Sequence, residues 1–502
     1  VPITKATRGP ADRRAPYEEA SVRALWTAPV GESVELQASG AGFTDRRTRG
    51  LAFTANRTDG ADASLRLVGR GDWQWSALGY AQWRELQSSF ASVSAGRVAA
   101  TRVSLQDSVP SQGLGGSFEL RPPLAAGVEL RLGGDARVTD GESREFFSYV
   151  AGEPTRRRVA GGRTATVGLF GEIAGKLGAV TLSAGGRIDR WAIDDGQLRE
   201  SAIATGAALR DEQYGARDGW LPTARAGAVI DLEGGLSLRS AAYLGWRMPT
   251  LNELFRPFRA GRDATAANPL LDPERLAGVE VGAGYRTAAF ALSLTAFANR
   301  LHDSIANVTL GQGPGFFPGV GFVPAGGEFR QRRNLDRIDV RGIEASAQAE
   351  HGTWSLRLGA SLTDAQIRAH GPAARLDGLR PAQTPRFMLT AGAGWERNGR
   401  SLSLLLRHVG AQFEDDLNQR SLPSATTIDA FAAVPIGATF QLVARAENLL
   451  NERVVAGIGG DGAIERATSR TLWLGLRFSA QGASTKGTPQ SSSTRRMSAE
   501  RF

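Results

Sequence analysis

The chain has 502 residues, 60 Lys plus Arg against 51 Asp plus Glu, a formal net charge of +9 and no Cys. Without Cys there is no disulfide framework, no thiolate metal site and no Cys nucleophile. No apolar run approaches the roughly 18 residues a membrane helix needs, and the opening "VPITKATRGP" lacks the apolar stretch of a signal peptide.

The basic charge is almost all Arg, with Lys only at Lys5, Lys176 and Lys486. The arginines stand singly along the chain, as a GC-rich coding sequence gives. They are not gathered on one face as nucleic-acid binding needs, so no nucleic-acid partner is expected. A soluble chain of this length divides into about three domains at roughly 150 residues each, yet nothing marks a division.

The first strand signal is "ASVRALWTAPV", Ala20 to Val30. Next, "SLRLVGR" sets Leu65 and Leu67 against Ser64, Arg66 and Arg70. "VELRLGGDA" sets Val128, Leu130 and Leu132 against Glu129 and Arg131, and "VTLSAGGRID" sets Val180, Leu182 and Ile188 against Thr181, Ser183 and Arg187. "FALSLTAFAN" follows, then "WSLRLGASLTD" (Trp354 to Asp364), "SLSLLLRHVG" and "TLWLGLRF", which ends on Phe478. In a strand, alternate residues face opposite sides, so each segment has one oily face and one polar face.

Short turns such as "PVGES", "RGDW", "LEGG", "EHGT" and "ERNGR" join these strands in pairs, with Gly, Pro and Asn supplying tight-turn backbone. Long polar segments separate the pairs: Gln87 to Gln112, Asp194 to Asp218, Pro249 to Arg275 and Ala306 to Arg333. An array whose two ends differ in this way fits an outer-membrane barrel with short periplasmic turns and long extracellular loops. The pattern predicts an all-β fold, a transmembrane antiparallel barrel of about 20 to 22 strands. Its oily face meets lipid, and Arg131, Arg187 and Arg357 face the lumen. A soluble propeller would show a repeat of about 40 to 50 residues, and none is found.

Four segments of the back half resemble the TonB-dependent outer-membrane receptor family. They are "GWRMPTLNELF" with "NPLLDPERLAGVEVGAGYR", "RNLDRIDVRGIEASAQ", "ARAENLLNERV" and "SRTLWLGLRF". The matching positions are Arg247, Pro249, Glu253, Asn268, Pro269, Glu274, Glu280, Asn334, Gly342, Glu344, Asn448 and Phe478. Read physically, Pro249 and Pro269 end ladder pairing at the rim. Asn448 bonds local backbone where a strand ends, Gly342 admits a kink or a close neighbour, and Phe478 is an interfacial aromatic. These roles are structural.

The resemblance implies a multi-pass barrel in a bacterial outer membrane that takes up a scarce nutrient such as a ferric siderophore, haem or cobalamin. Its implied partners are TonB, the nutrient ligand, outer-membrane lipid and lipopolysaccharide, and the barrel-insertion machinery. TonB coupling requires a plug domain and TonB box in the full protein. The front half matches by strand pattern only, and no plug is recognised. The expected organisation is a connection to a plug at 1–19, the barrel at 20–478 and a disordered tail at 479–502. Two alternatives remain: a passive porin-like channel, and a soluble β-rich binding scaffold.

No catalytic motif is present, so no enzymatic activity is expected. His302, His351, His370 and His408 are far apart, and no metal site or cofactor is expected from them. "EDD" (Glu414 to Asp416) and the Asp194–Asp195 pair lie in expected extracellular loops as possible calcium ligands or solvated acids. "RPFRAGR" and "RQRRN" place Arg256, Arg259, Arg262, Arg330, Arg332 and Arg333 at the expected mouth. Arg pairs bidentately with carboxylate and phosphate, so these six are the candidate ligand-facing residues, for an anionic metal chelate or lipopolysaccharide phosphates.

Overall fold

A computed structural model describes residues 8–437, 439–459 and 464–478. The expected tail at 479–502 lies outside them. Twenty strands form one antiparallel sheet. β1 Tyr17–Pro29, β2 Val34–Thr48, β3 Ala55–Arg70, β4 Gln74–Val93, β5 Ala100–Arg121, β6 Val128–Val150, β7 Glu153–Leu177 and β8 Val180–Ala202 come first. β9 Arg217–Asp231, β10 Leu236–Arg247, β11 Glu274–Arg286, β12 Phe290–His302, β13 Arg337–His351 and β14 Trp354–Arg368 follow. β15 Phe387–Arg397, β16 Arg400–Val409, β17 Ala425–Ile436, β18 Phe440–Glu447 and β19 Thr471–Phe478 complete the wall.

The twentieth strand, Ala208–Tyr214, pairs with the top of β8 above the place where β9 pairs with it. Twenty strands less that shared place leave nineteen positions, so β1 and β19 run in the same direction. Among the described residues no pairing joins their edges. β1 begins at Tyr17, three residues before its expected start. Just ahead of it, Asp12 pairs with Arg97 at 2.5 Å, at the end of the wall that carries the long loops.

The oily face points out. Leu356, Leu358 and Leu362 of β14 are 54, 46 and 56 % exposed, and Leu65, Val167, Leu169, Val281, Leu294 and Ile343 behave alike. Apolar side chains this open, strand after strand, make a continuous band that needs a non-aqueous neighbour. Aromatics border it near the short turns: Trp354 opposite Trp395, and Phe440 against Phe478 with ring centroids 5.4 Å apart. Such girdles mark the interfaces of membrane barrels. On the inner face Arg131 bridges Glu119 (2.7 Å) and Glu172 (3.2 Å), and Arg187 bridges Asp135 (2.6 Å) and Asp189. These two lumenal guanidiniums are therefore each held between two carboxylates, Arg131 by the strands on either side of it and Arg187 by its own strand and the next but one.

Two of the expected long loops are strand instead. Gln87 to Gln112 is the top of the β4–β5 hairpin, and Asp194 to Asp218 is the top of β8 with Ala208–Tyr214 and the start of β9. Asp194 and Asp195 accordingly sit in strand. These strands of 20 to 25 residues exceed the roughly 9 to 11 that cross a bilayer. The excess stands clear of the membrane with water outside it. The segments 248–273 and 303–336 are long connections as expected, but they carry structure of their own. Their strands Phe258–Ala260, Asp263–Ala266, Ile305–Gln312 and Glu328–Asn334 make a four-stranded sheet. The buried apolar clusters lie at this end, among loops and strand tops.

Candidate ligand site at the extracellular mouth

The 248–273 connection folds onto the inner wall. Pro249 stops β10, and Thr250 then caps a single helical turn, α1 Leu251–Phe255. The Glu253 N–H donates to Thr250 Oγ1 (3.2 Å), and the Thr250 N–H donates to Glu253 Oε2 (2.7 Å). This reciprocal cap satisfies two otherwise orphan donors. Glu253 also accepts from Arg247 (3.0 Å), whose Nε reaches Glu274 at the start of β11. Burial opposes ionisation of Glu253, but Arg247 and Thr250 outweigh it and hold the carboxyl below its ordinary value.

A five-residue helix has no stability of its own, so packing must hold it. Leu254 and Phe255 are buried among Trp191, Ile193 and Leu271, and Phe255 stacks on Tyr214 at 5.4 Å. The wall makes room with glycine: a Cβ on Gly196 would lie 2.5 Å from the Phe255 ring, and one on Gly162 would lie 2.8 Å from it.

The next residues dock by charge. Arg158, over the Phe147 ring at 4.2 Å, donates to Glu200 (2.7 Å) and to the Pro257 carbonyl (3.1 Å). Arg256 reaches Glu145 at 3.3 Å, and Ser104 Oγ donates to the same carboxylate at 2.5 Å. Glu145 and Glu200 are both buried. The two loops are then pinned together. Asn268 Nδ2 donates to the Arg332 carbonyl (3.0 Å), and Asn334 Oδ1 accepts from Asp272 N (2.9 Å). Arg217 holds the Pro269 and Leu271 carbonyls, both at 2.9 Å.

The six candidate arginines separate. Arg332 is buried under Phe258 and donates to the Arg256 carbonyl. Burial, with Arg256 adding repulsion, pushes its guanidinium down to about 10. Arg330 is spent on Glu328 and Asp263 within the loop sheet. Arg259 donates to the Val320 and Phe322 carbonyls (2.6 and 2.7 Å). The Nε of Arg256 and that of Arg333 are buried without a hydrogen-bond partner. Arg262 is exposed and donates to the Ala325 carbonyl at 3.4 Å.

Of the other motif residues, Glu280 and Glu344 stand at inward positions of β11 and β13. Gly342 sits beneath the Phe297 ring, where a Cβ would lie 2.6 Å from Cζ. Asn448, at φ 47°, exchanges bonds with Glu452 (2.8 and 2.9 Å). In the "EDD" run, Asp416 accepts from the Thr309 N–H at 2.8 Å, and burial raises its carboxyl.

Between α1 and the wall lies a lumenal cavity of about 700 Å³. Gln106, Arg137, Glu142, Trp246, Met248 and Arg256 are among its lining residues. Sequence reading found only the last. The others lie on strands or beside a strand end; inward parity marks Gln106 and Arg137, whereas Glu142 and Trp246 share parity with the outward Val138 and Leu244 and alternation does not find them. Among the described residues no group of three or more His, Asp or Glu is arranged to hold a metal ion. What the arrangement offers is recognition: amides, an indole, a thioether and a guanidinium around one space, under a loop latched by charge.

Comparison with known proteins bears on this fold. The family model "TonB dependent receptor-like, beta-barrel" matches residues 10–449. Among solved structures, "Copper transporter OprC" superposes with a TM-score of 0.72 at 17 % identity, covering 93 % of this chain and 73 % of that one. The ferric yersiniabactin uptake receptor FyuA from Yersinia pestis gives 0.70 at 16 %, covering 94 % and 72 %. The ferric-catecholate import receptor Fiu from K12 E. coli gives 0.71 at 13 %, covering 93 % and 75 %. At these identities the likeness is one of fold. No curated protein sequence matches the chain.

Proposed function

Because the chain belongs to the TonB-dependent receptor-like β-barrel family, whose model spans residues 10–449, we propose that it forms the wall and mouth of an outer-membrane uptake receptor. Its cargo on this reading is a scarce nutrient carried as a small molecule, such as a ferric siderophore, haem or cobalamin. The related folds are titled as a copper transporter and as ferric-chelate receptors, which puts metal chelates first. Coupling to TonB belongs to this reading where the full protein carries a plug and TonB box. Binding and passage, rather than chemistry on the cargo, are the activity proposed.

The observation that carries the reading is the latched loop. α1 and Arg256 are folded onto the inner wall over the 700 Å³ cavity. Residues that match the resemblance, Arg247, Glu253, Asn268, Glu274 and Asn334, do the latching. A porous channel has no need of such a device, whereas a receptor needs a mouth that changes when ligand arrives.

The test is tryptophan fluorescence of the protein purified from its native outer membrane, titrated with a panel of ferric catecholates, ferric hydroxamates, haem and cobalamin. Trp191 and Trp246 flank the latch, so saturable quenching by one chelate, lost in Trp246→Phe, supports the reading. A large, constantly open conductance in planar bilayers without saturable binding would replace it with passive passage. The intact mass of the same preparation, set against that of the 502-residue chain, reports whether a plug is attached.

A further inference from the structure

We propose that the outer face of the wall at β9 to β14 is a docking site for a phosphorylated glycolipid of the outer leaflet. This rests on the reading that the barrel spans an outer membrane.

The register fixes which side chains face out. Ile343 pairs with Leu362, and both are exposed on the lipid side. One repeat higher on the same face, Arg341 pairs with Asp364, then Asp339 with Gln366, then Arg337 with Arg368. On β12 the same face runs Leu294, Ala296, Ala298, Arg300, His302. Two residues along a strand are about 6.8 Å, so the first charges stand within one head-group depth of the apolar band.

Here the wall is hollowed. Ala224, Ala226, Ala242, Ala277 and Ala298 line a groove of about 750 Å³, with Leu244 and Val279 beside them. Arg300, Arg341 and Arg368 line its charged end.

The charge at that end is one-sided. Asp339 is shared by Arg300 (3.1 Å), Arg337 (3.2 Å) and Arg368 (3.5 Å). Asp364 is shared by Arg341 (3.2 Å) and Arg386 (3.7 Å), and Asp303 pairs with Arg275 (2.6 Å). Six guanidiniums thus face three carboxylates, an excess of three positive charges. Arg341, Arg386, Arg275 and Arg300 keep 78, 61, 59 and 57 % of their side chains exposed. Each shared carboxylate leaves donors over, and guanidinium forks match phosphate oxygens. Ala298 stands opposite Arg341 and Ala277 opposite Arg300, so small side chains beside the charges leave room for acyl chains against the wall, and basic clusters at a membrane surface attract anionic head groups. A lipid whose phosphates meet the guanidiniums and whose several acyl chains lie in the alanine-lined groove beside them fits both halves at once.

The experiment is native mass spectrometry of the full protein in detergent, titrated with bis-phosphorylated lipid A and with its dephosphorylated form. We expect the phosphorylated lipid to bind at least tenfold more tightly, and Arg300→Gln/Arg341→Gln/Arg386→Gln to abolish that preference. Arg190→Gln, on the outer face beside Trp220, should leave it unchanged. Because the chain has no Cys, an Ala298→Cys variant gives a second measure: maleimide labelling there should slow when the phosphorylated lipid is bound. Equal binding of both lipids, or unaltered binding by the triple variant with labelling at 298 unprotected, overturns the proposal. Should the protein fail to fractionate with the outer membrane or to migrate as an SDS-resistant species before boiling, the membrane reading itself fails, which separates the two.

Discussion

Removing the Phe255 ring should release the latched loop without opening the barrel. The ring is 2 % exposed, stacked on Tyr214 and packed with Trp191, Ile193 and Leu271. Phe→Ala at a buried site costs about 3 to 5 kcal/mol. α1 contributes almost nothing by itself, so the loss falls on docking, a local equilibrium distinct from global unfolding. At about 1.4 kcal/mol per factor of ten, the undocked population rises on the order of 100-fold or more. Trypsin reads this directly, because Arg259 and Arg262 lie in the released segment and neither precedes a proline, and cleavage tracks the open population when closing is fast. A second variant checks the geometry. Gly196→Ala puts a methyl 2.5 Å from the same ring, an overpacking cost of about 1 to 3 kcal/mol. In the Phe255→Ala background that cost should vanish, a non-additivity of the same size. Unchanged cleavage after Arg259 and Arg262 in Phe255→Ala, with the barrel still SDS-resistant, would refute the reasoning.

Acid should undock the same loop. The Glu253 carboxyl is held below its ordinary 4.5 in the folded state, so its contribution is full above that value and is lost as pH falls through the depressed one. A dye on an introduced Asn252→Cys should report release on that acid limb, and Glu253→Gln should flatten it. Asn448→Ala should lower the thermal midpoint. It removes two bonds to Glu452 at a buried position and puts Ala at φ 47°, a loss of about 1 to 3 kcal/mol. Leu358→Arg, in the middle of the apolar band of β14, should cost about 2 to 4 kcal/mol in refolding into bilayers. Gln366→Arg, on the same face four positions of that parity higher, should cost less than about 1 kcal/mol.

Those last two sites show what the sequence could and could not convey. Alternation in "WSLRLGASLTD" identified a strand with one oily face, and Leu356, Leu358 and Leu362 do face out. The tops of β4, β5 and β8 look like loops in sequence because their outer face meets water and their buried inner positions, such as Gln106, Leu198 and Glu200, mix polar with apolar, leaving no clean period to detect. The four loop strands and α1 are three to eight residues long, too short for a period to stand out, and only tertiary contacts hold them. The arginine runs announced charge at the mouth but not its pairing. Whether Arg332 is buried under Phe258 or Arg262 exposed depends on which residue far along the chain lies opposite, and one sequence does not carry that.

Along β14 the meaning of parity reverses, and the reversal locates the membrane. Through Leu362 the outward positions are apolar and the inward ones are Ser355, Arg357 and Thr363. Beyond it the outward positions become Asp364, Gln366 and Arg368, and the inward ones become Ala365 and Ile367, buried at 6 and 3 % against exposures of about half below. No bulge intervenes, since β13 and β14 keep one register from Arg337 to His351. The side chains have not turned over; the surroundings have changed on both sides at once. Outside, lipid gives way to water, and inside, a wet lumen gives way to Val308, Leu335 and Leu376 of the folded loops. A soluble sheet has one core and keeps one apolar face. A strand that exchanges its apolar face midway without a break in register needs two different oily environments, a bilayer below and a packed loop domain above, and the outward arginines of the lipid groove begin where the first of these ends.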